Sequence, residues 1–451
     1  MFRRKAYDRL LEWKEKYGRK YAALLQGARR VGKSTIAEAF ARQEFRSYIL
    51  VDFSTASAEL MELFDDIGNI DLFFRRLQAV IGCTLYTGES VIVFDEIQFC
   101  PKARQAIKHL VRDGRYFYIE TGSLISIKKN VKDILIPSEE HRIDVLPMDY
   151  EEFMWATGSG SMDLFRQFVE TGHPLGAGVN RTLMRNYRIY MAVGGMPQAV
   201  EAYVDGKNFA EIDEVKREII ELYKNDFRKI DPSGRISALF EAIPSQLAMG
   251  RKRFGMSTVL NKRITSKDEE LLFDLLDSKT VLACYDTSEP GVGLAQAKKL
   301  NSFKLYLADT GLFITLMLSL DGGFENEIYA KMLSDKLEAN LGYLYENAIA
   351  QAITAAGKNL YYHSWRKKDS THSYEIDFLL LQKNKVIPVE VKSSSVRNHK
   401  SIDAFCEKYE KVVGRRWLLS QKDIAKEGMT ELWPLYLAPA LLGQIVGQVV
   451  I

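Results

Sequence analysis

Two groups of residues have the types and spacing to act on phosphates. The first is Gly27-Ala28-Arg29-Arg30-Val31-Gly32-Lys33-Ser34, followed by Thr35. Glycines at either end let intervening backbone N–H groups converge on phosphate oxygens, and a helix starting near Lys33 would turn its positive dipole end to the same place. Lys33 adds a mobile charge and Ser34 a hydroxyl for Mg²⁺. The stretch Gly27 to Thr35 is thus a candidate cradle for the β- and γ-phosphates of ATP. The strand-like VIVFDEIQ, residues 91–98, ends in the acids such a site needs. Asp95 is expected in the Mg²⁺ shell, and Glu96 is expected to orient and polarise the attacking water. Another apolar run ends in Thr121-Gly122-Ser123. The Thr121 hydroxyl is a candidate γ-phosphate sensor, and the same turn is equally ordinary loop chemistry.

The second group lies in SYEIDFLLLQKNKVIPVEVKSS. Glu390 and Lys392 share a face of one strand, and a hairpin brings Asp377 beside them. Asp377 and Glu390 can share a Mg²⁺ or Mn²⁺ ion that polarises a phosphodiester, with Lys392 positioning or deprotonating water. Glu346, on a preceding helix, can complete the metal shell. The same residues also fit a structural ion-pair network or a non-cleaving scaffold. Lys392 and Glu390 are expected to depend on each other for their charge.

The elements that position these groups follow from the pattern. Between residues 20 and 150, YAALLQG, SYILVDF, SVIVFDEIQ, RYFYIETGS and RIDVLPM read as five strands separated by helical stretches, the order of a parallel sheet with crossover helices. Residues 151–235 are helical, interrupted at GSGS and GGMP. Residues 236–318 give short helices, an extended segment turning at Pro290-Gly291 and then KLYLADTGLF, an order resembling a winged helix. Between 236 and 267, six basic residues (Arg251, Lys252, Arg253, Lys262, Arg263, Lys267) face one acid, Glu241. That favours DNA contact. The helix near 266–277 is itself acidic, with Asp268, Glu269, Glu270, Asp274 and Asp277. Packing against the ATPase or a partner protein is the alternative. Residues 330–451 hold a long helix near 333–356 and then the strands of the second group.

Composition bounds the rest. With 451 residues, 47% hydrophobic and 27% charged, several compact units are expected and long disorder is not. The net charge of +3 says little about partners. Cys83, Cys100, Cys284 and Cys406 form no C-x-x-C pair, which argues against a disulfide framework or zinc site and for a reducing, cytoplasmic setting. The first 20 residues read as an amphipathic helix, not an export signal. The apolar tail APALLGQIVGQVVI is broken by Gln444 and Gln448, so no membrane span is expected.

GARRVGKST, VIVFDEIQ, ETGS, PMDYEEF, VGGMPQAV, YLADTGL and EIDFLLL followed by VEVKSS together resemble the AAA-type ATPases of bacteria and archaea that are fused to a C-terminal PD-(D/E)xK nuclease-like domain. The resemblance covers nearly the whole chain. It implies an α/β multidomain fold: a P-loop AAA-type domain over 1–150, a helical region over 151–235, a winged-helix-like domain over 236–318, and a restriction-endonuclease-like domain over 330–451. Glu346, Asp377, Glu390 and Lys392 match the helix Glu, strand Asp and E-x-K positions of the nuclease-like core. The resemblance also implies an arginine reaching a neighbouring subunit's γ-phosphate, for which Arg112, Arg115 and Arg142 are candidates. Relatives carry a Gly-Arg pair before the fifth strand where this chain has Glu140-His141-Arg142. The expected function is an ATP-hydrolysing, Mg²⁺-dependent ATPase acting on DNA, with metal-dependent cleavage at the C-terminal site. The rival is a nucleotide-operated switch for a protein partner or a homo-oligomer, with the C-terminal core as scaffold.

Overall fold

The computed structural model describes residues 1–122, 137–319, 329, 332–334, 342–367, 372–393 and 399–446. Ser123, residues 335–341 of the expected long helix, and the end of the apolar tail lie outside them. The fold is α/β and divides into two compact units: residues 1–146 with 277–279, and the remainder.

The first unit is built on five parallel strands: β1 (Ala22–Gln26), β2 (Ser47–Asp52), β3 (Ser90–Asp95), β4 (Phe117–Gly122) and β5 (Glu140–Asp144). Their order across the sheet is β2-β3-β4-β1-β5. Strands β1, β3 and β4 are buried along their whole length, which explains their near-continuous apolar sequences. Phe53, Phe64, Phe73, Phe74, Phe94 and Tyr118 fill one side of the sheet. Burying each such ring contributes about 1.5–3 kcal/mol. The strand expected from Arg142 to Met148 ends earlier, at Asp144, because Val145 turns to lie against Gly27. A Cβ on Gly27 would stand 2.1 Å from the Val145 carbonyl oxygen. On the face of β4 opposite Thr121, Glu120 is fully buried, and burial together with Glu140 pushes its carboxyl well above the usual range. Glu140 in turn takes a two-pronged ion pair from Arg104 at 2.9 and 3.0 Å.

In the second unit, helices over Tyr150–Thr157, Ala177–Val193 and Phe209–Ile230 precede shorter helices that end with Ser266–Asp277. A hairpin follows, β6 (Val281–Thr287) and β7 (Lys298–Leu307), then the helices Thr310–Ser319 and Gly342–Ala355. Strands β8 (Leu360–Arg366) and β9 (Ser373–Ile376) join that hairpin in one sheet, order β7-β6-β8-β9. Cys284 pairs with Leu360 and Asp286 with Tyr362, so this sheet spans both sides of the boundary that the sequence places between 318 and 330. A second sheet contains β10 (Phe378–Gln382), β11 (Lys385–Val391), β12 (Arg416–Ser420), β13 (Ala425–Glu427) and β14 (Thr430–Pro434).

Three of the motifs behind the family resemblance meet in one buried polar knot. Met148 N–H donates to the Gly195 carbonyl at 2.7 Å, and Asp309 accepts from Gly195 N–H at 2.5 Å and from Leu312 N–H at 2.8 Å. A Cβ on Gly195 would lie 1.9 Å from the Met148 carbonyl oxygen, so backbone approach alone requires glycine there. Beneath it Lys216, with no exposed surface, donates to the Ala192 carbonyl at 2.8 Å and to the Tyr329 hydroxyl at 3.0 Å.

Candidate functional site

The P-loop connects β1 to the helix Lys33–Glu44. Arg30 and Gly32 take left-handed backbone angles, φ 65° and 93°, which curl the loop back over the helix start. Ala28 and Val31 are buried, Arg29 is half-buried, and Arg30 and Thr35 are exposed. Arg4 clamps the loop from the N-terminal segment, donating to the Val31 carbonyl at 2.8 Å and to the Leu146 carbonyl at 2.6 Å. Arg4 is not among the candidates that the sequence offers. Its signal is faint, a lone arginine just ahead of an amphipathic helix.

Lys33 is buried, and its Nζ donates to the Gly27 and Ala28 carbonyls at 3.1 and 2.8 Å. Burial lowers its pKa to about 8, with Glu96 and Asp95 opposing the shift. Ser34 donates to Asp95 Oδ1 at 2.7 Å, and Thr121 donates to the same oxygen. The Thr121 hydroxyl also accepts from the Glu96 N–H at 3.2 Å. Glu96 itself sits in a left-handed conformation, φ 53°, and its carboxylate accepts from the Gln98 side chain. Parallel register therefore delivers Ser34, Asp95, Glu96 and Thr121 to one edge of the sheet. Ser34 and Asp95 are hard oxygen donors of the kind Mg²⁺ takes together with phosphates, so the residues fit that ion. Of the arginine candidates, Arg115 is committed to Asp113 and Asp71, each at 2.8 Å, whereas Arg112 and Arg142 are exposed.

At the C-terminal site the hairpin forms. Phe378 pairs with Val389, which sets Asp377 beside Glu390, and Asp377 Oδ2 accepts the Val391 N–H at 2.8 Å. Lys392 Nζ lies 2.6 Å from Glu390 Oε1. Burial would lower the Lys392 pKa, but Glu390 raises it. Burial and then Glu346 push the Asp377 carboxyl well above the usual range. Glu346, on the helix Gly342–Ala355, accepts from the Tyr306 hydroxyl at 3.1 Å. Two further residues are present that the sequence reading did not name. Lys304 Nζ stands 2.6 Å from Glu375 Oε1 and 3.7 Å from Glu346 Oε2. Burial would lower its pKa, yet Glu346, Glu375 and Asp377 together raise it. Both had a signal: Glu375 and Asp377 alternate on one face, as do Lys304 and Tyr306 within an otherwise apolar run.

Lys304 lies among the expected shell of Glu346, Asp377 and Glu390, its ammonium 3.7 Å from Glu346. Among the described residues no three His, Cys, Asp or Glu side chains are placed to share an ion.

The basic region also differs from expectation in one respect. Asp268, read as part of an acidic face, is buried: it accepts from Thr265 and pairs with Arg235 and Lys262, each at 2.8 Å. Arg251, Lys252 and Arg253 are exposed and border a groove of about 750 Å³. No described helix is long and apolar enough to cross a membrane.

Comparison with known proteins covers the chain in three parts. Residues 19–154 match an AAA domain, residues 184–322 a domain of unknown function (DUF8612) and residues 341–437 another (DUF4143). No curated protein matches the chain. Among solved structures, the Walker-type ATPase of Pyrococcus abyssi is 18% identical over 70% of this chain and 96% of its own, with a TM-score of 0.42. A signal-transduction ATPase with numerous domains and a tetratricopeptide repeat sensor, from Pyrococcus horikoshii, is 12% identical over 77% of this chain and 47% of its own, with a TM-score of 0.27. The phosphate loop at the edge of the five-stranded parallel sheet and the family match over the same residues agree: the chain carries an AAA-type P-loop ATPase domain at 19–154.

Proposed function

We propose that this chain hydrolyses ATP and that the nucleotide cycle operates the remaining regions as an interaction switch. The observation that carries the reading is the bonded series Ser34–Asp95–Thr121–Glu96 at the edge of the sheet. Lys33 is held by two neutral carbonyls, acceptors that a phosphate oxygen can replace with a gain in charge complementarity. Ser34 and Asp95 would hold Mg²⁺, which when bound offsets phosphate charge. Glu96, its backbone fixed by Thr121, would orient water and accept its proton once Gln98 yields the carboxylate. A second copy would complete the site with Arg112 or Arg142.

The chain is anchored within each unit on either side of residues 146 and 147. At one end Val145 lies against Gly27 of the P-loop, and at the other Met148 is bonded to Gly195. The cycle is tested by Mg²⁺-dependent phosphate release: Lys33→Ala should abolish it, and unchanged turnover would overturn the proposal.

A second reading, action on DNA, is supported by the exposed Arg251, Lys252 and Arg253. Salt-dependent duplex binding that Arg251→Ala/Arg253→Ala weakens would favour it over a protein partner.

A further inference from the structure

Lys304 has no place in the metal shell that the sequence suggests, and it sits among the carboxylates of that shell. It projects from β7 and is 5% exposed. Its Nζ contacts Glu375 at 2.6 Å and approaches Glu346 at 3.7 Å. Tyr306, two residues along the same face, donates to the same Glu346 oxygen. On the other side of the cluster Lys392 holds Glu390 at 2.6 Å, and the Val391 N–H holds Asp377 at 2.8 Å.

We infer that Lys304 supplies the positive charge that a divalent cation would supply in this cluster, so that the C-terminal core is assembled without metal and cleaves no phosphodiester. The two buried carboxylate oxygens of the cluster without a partner, Glu375 Oε2 and Glu390 Oε2, do not reverse this. Each belongs to a carboxylate whose other oxygen already meets an ammonium group. A divalent ion drawn to either would face repulsion from a lysine in surroundings that screen poorly. The covalent frame adds a reason for the lysine: β7 precedes the helix bearing Glu346 and the strand bearing Glu375, so this ion cluster ties three separate segments together. Removing the ammonium leaves hard oxygen donors without compensation, the donor set that Mg²⁺ or Mn²⁺ prefers.

The inference agrees with the scaffold reading and does not involve the P-loop, so ATP turnover and this test fail independently. The full chain, nucleotide-free, is titrated with Mn²⁺ and free ion is followed by electron paramagnetic resonance. Wild type and Asp377→Asn should bind Mn²⁺ alike. Lys304→Met, shown folded by circular dichroism, should gain a site at least about tenfold tighter than any in wild type, lost again in Lys304→Met/Asp377→Asn. Mn²⁺ bound by wild type and released in Asp377→Asn would overturn the inference, as would a folded Lys304→Met with no added site. Should Lys304→Met fail to fold, the comparison of wild type with Asp377→Asn decides alone.

Discussion

The two ends of the chain each bring lysines and carboxylates together, and they hold the lysine in different ways. At the P-loop, Lys33 leans on the Gly27 and Ala28 carbonyls, and Asp95 bonds two hydroxyls. In the C-terminal core, Lys304 and Lys392 each meet a carboxylate at 2.6 Å. The first arrangement leaves the ammonium with exchangeable neutral acceptors, ready for an anion. In the second, each ammonium is already bonded to a carboxylate of the protein. A residue inventory makes the two clusters look alike; the partner of each lysine, neutral carbonyl or carboxylate, tells them apart.

That contrast is open to direct attack. The largest effect is expected from Lys304→Met, which strands buried carboxylates and should lower stability by about 3–5 kcal/mol in denaturant unfolding; a loss below 1 kcal/mol would mean the cluster is not held by this ammonium. Glu96→Gln should slow ATP turnover by about 10²-fold while nucleotide remains bound, as read by phosphate release beside calorimetry. A milder consequence concerns pH. Lys33 has a pKa near 8 in the free protein, below the ordinary 10.5, and a phosphate needs it protonated. Below pH 8 it is already charged, and above that binding must draw in a proton, so ATP affinity should fall toward tenfold per pH unit. Calorimetry in buffers of different ionisation enthalpy would register that proton uptake, and a flat affinity from pH 8 to 9.5 would contradict the burial of Lys33. The smallest effect belongs to the exposed pair Lys102–Asp65, where Lys102→Ala should leave the midpoint of denaturant unfolding unchanged.

Much of the first unit was legible beforehand because its signals are local. Strands such as SVIVFDEIQ are unbroken apolar runs, and the loop at 27–34 carries its own glycines, lysine and serine. The hairpin that sets Asp377 beside Glu390 was legible for the same reason, a short turn between alternating strands. Harder to read were partners distant in the chain. Arg4 bonds Val31 and Leu146, and Asp268, read as surface acid, is buried beneath Arg235 and Lys262. The sheet joining β6 to β8 pairs residues more than seventy positions apart, and no periodicity marks which edge will accept a new strand.

What the sequence determined by itself is the phosphate cradle, the acids at the strand ends and the kinds of side chain available to the C-terminal core. Spacing along one strand or turn fixes these, and they hold in any packing that keeps those elements. Only the tertiary structure decided which ammonium meets the C-terminal carboxylates, because Lys304 arrives from a strand whose pairing with β6, opposite Cys284, carries it to Glu375 and Glu346. Electrostatic meaning depends on distances of a few ångströms between groups that the chain brings together last.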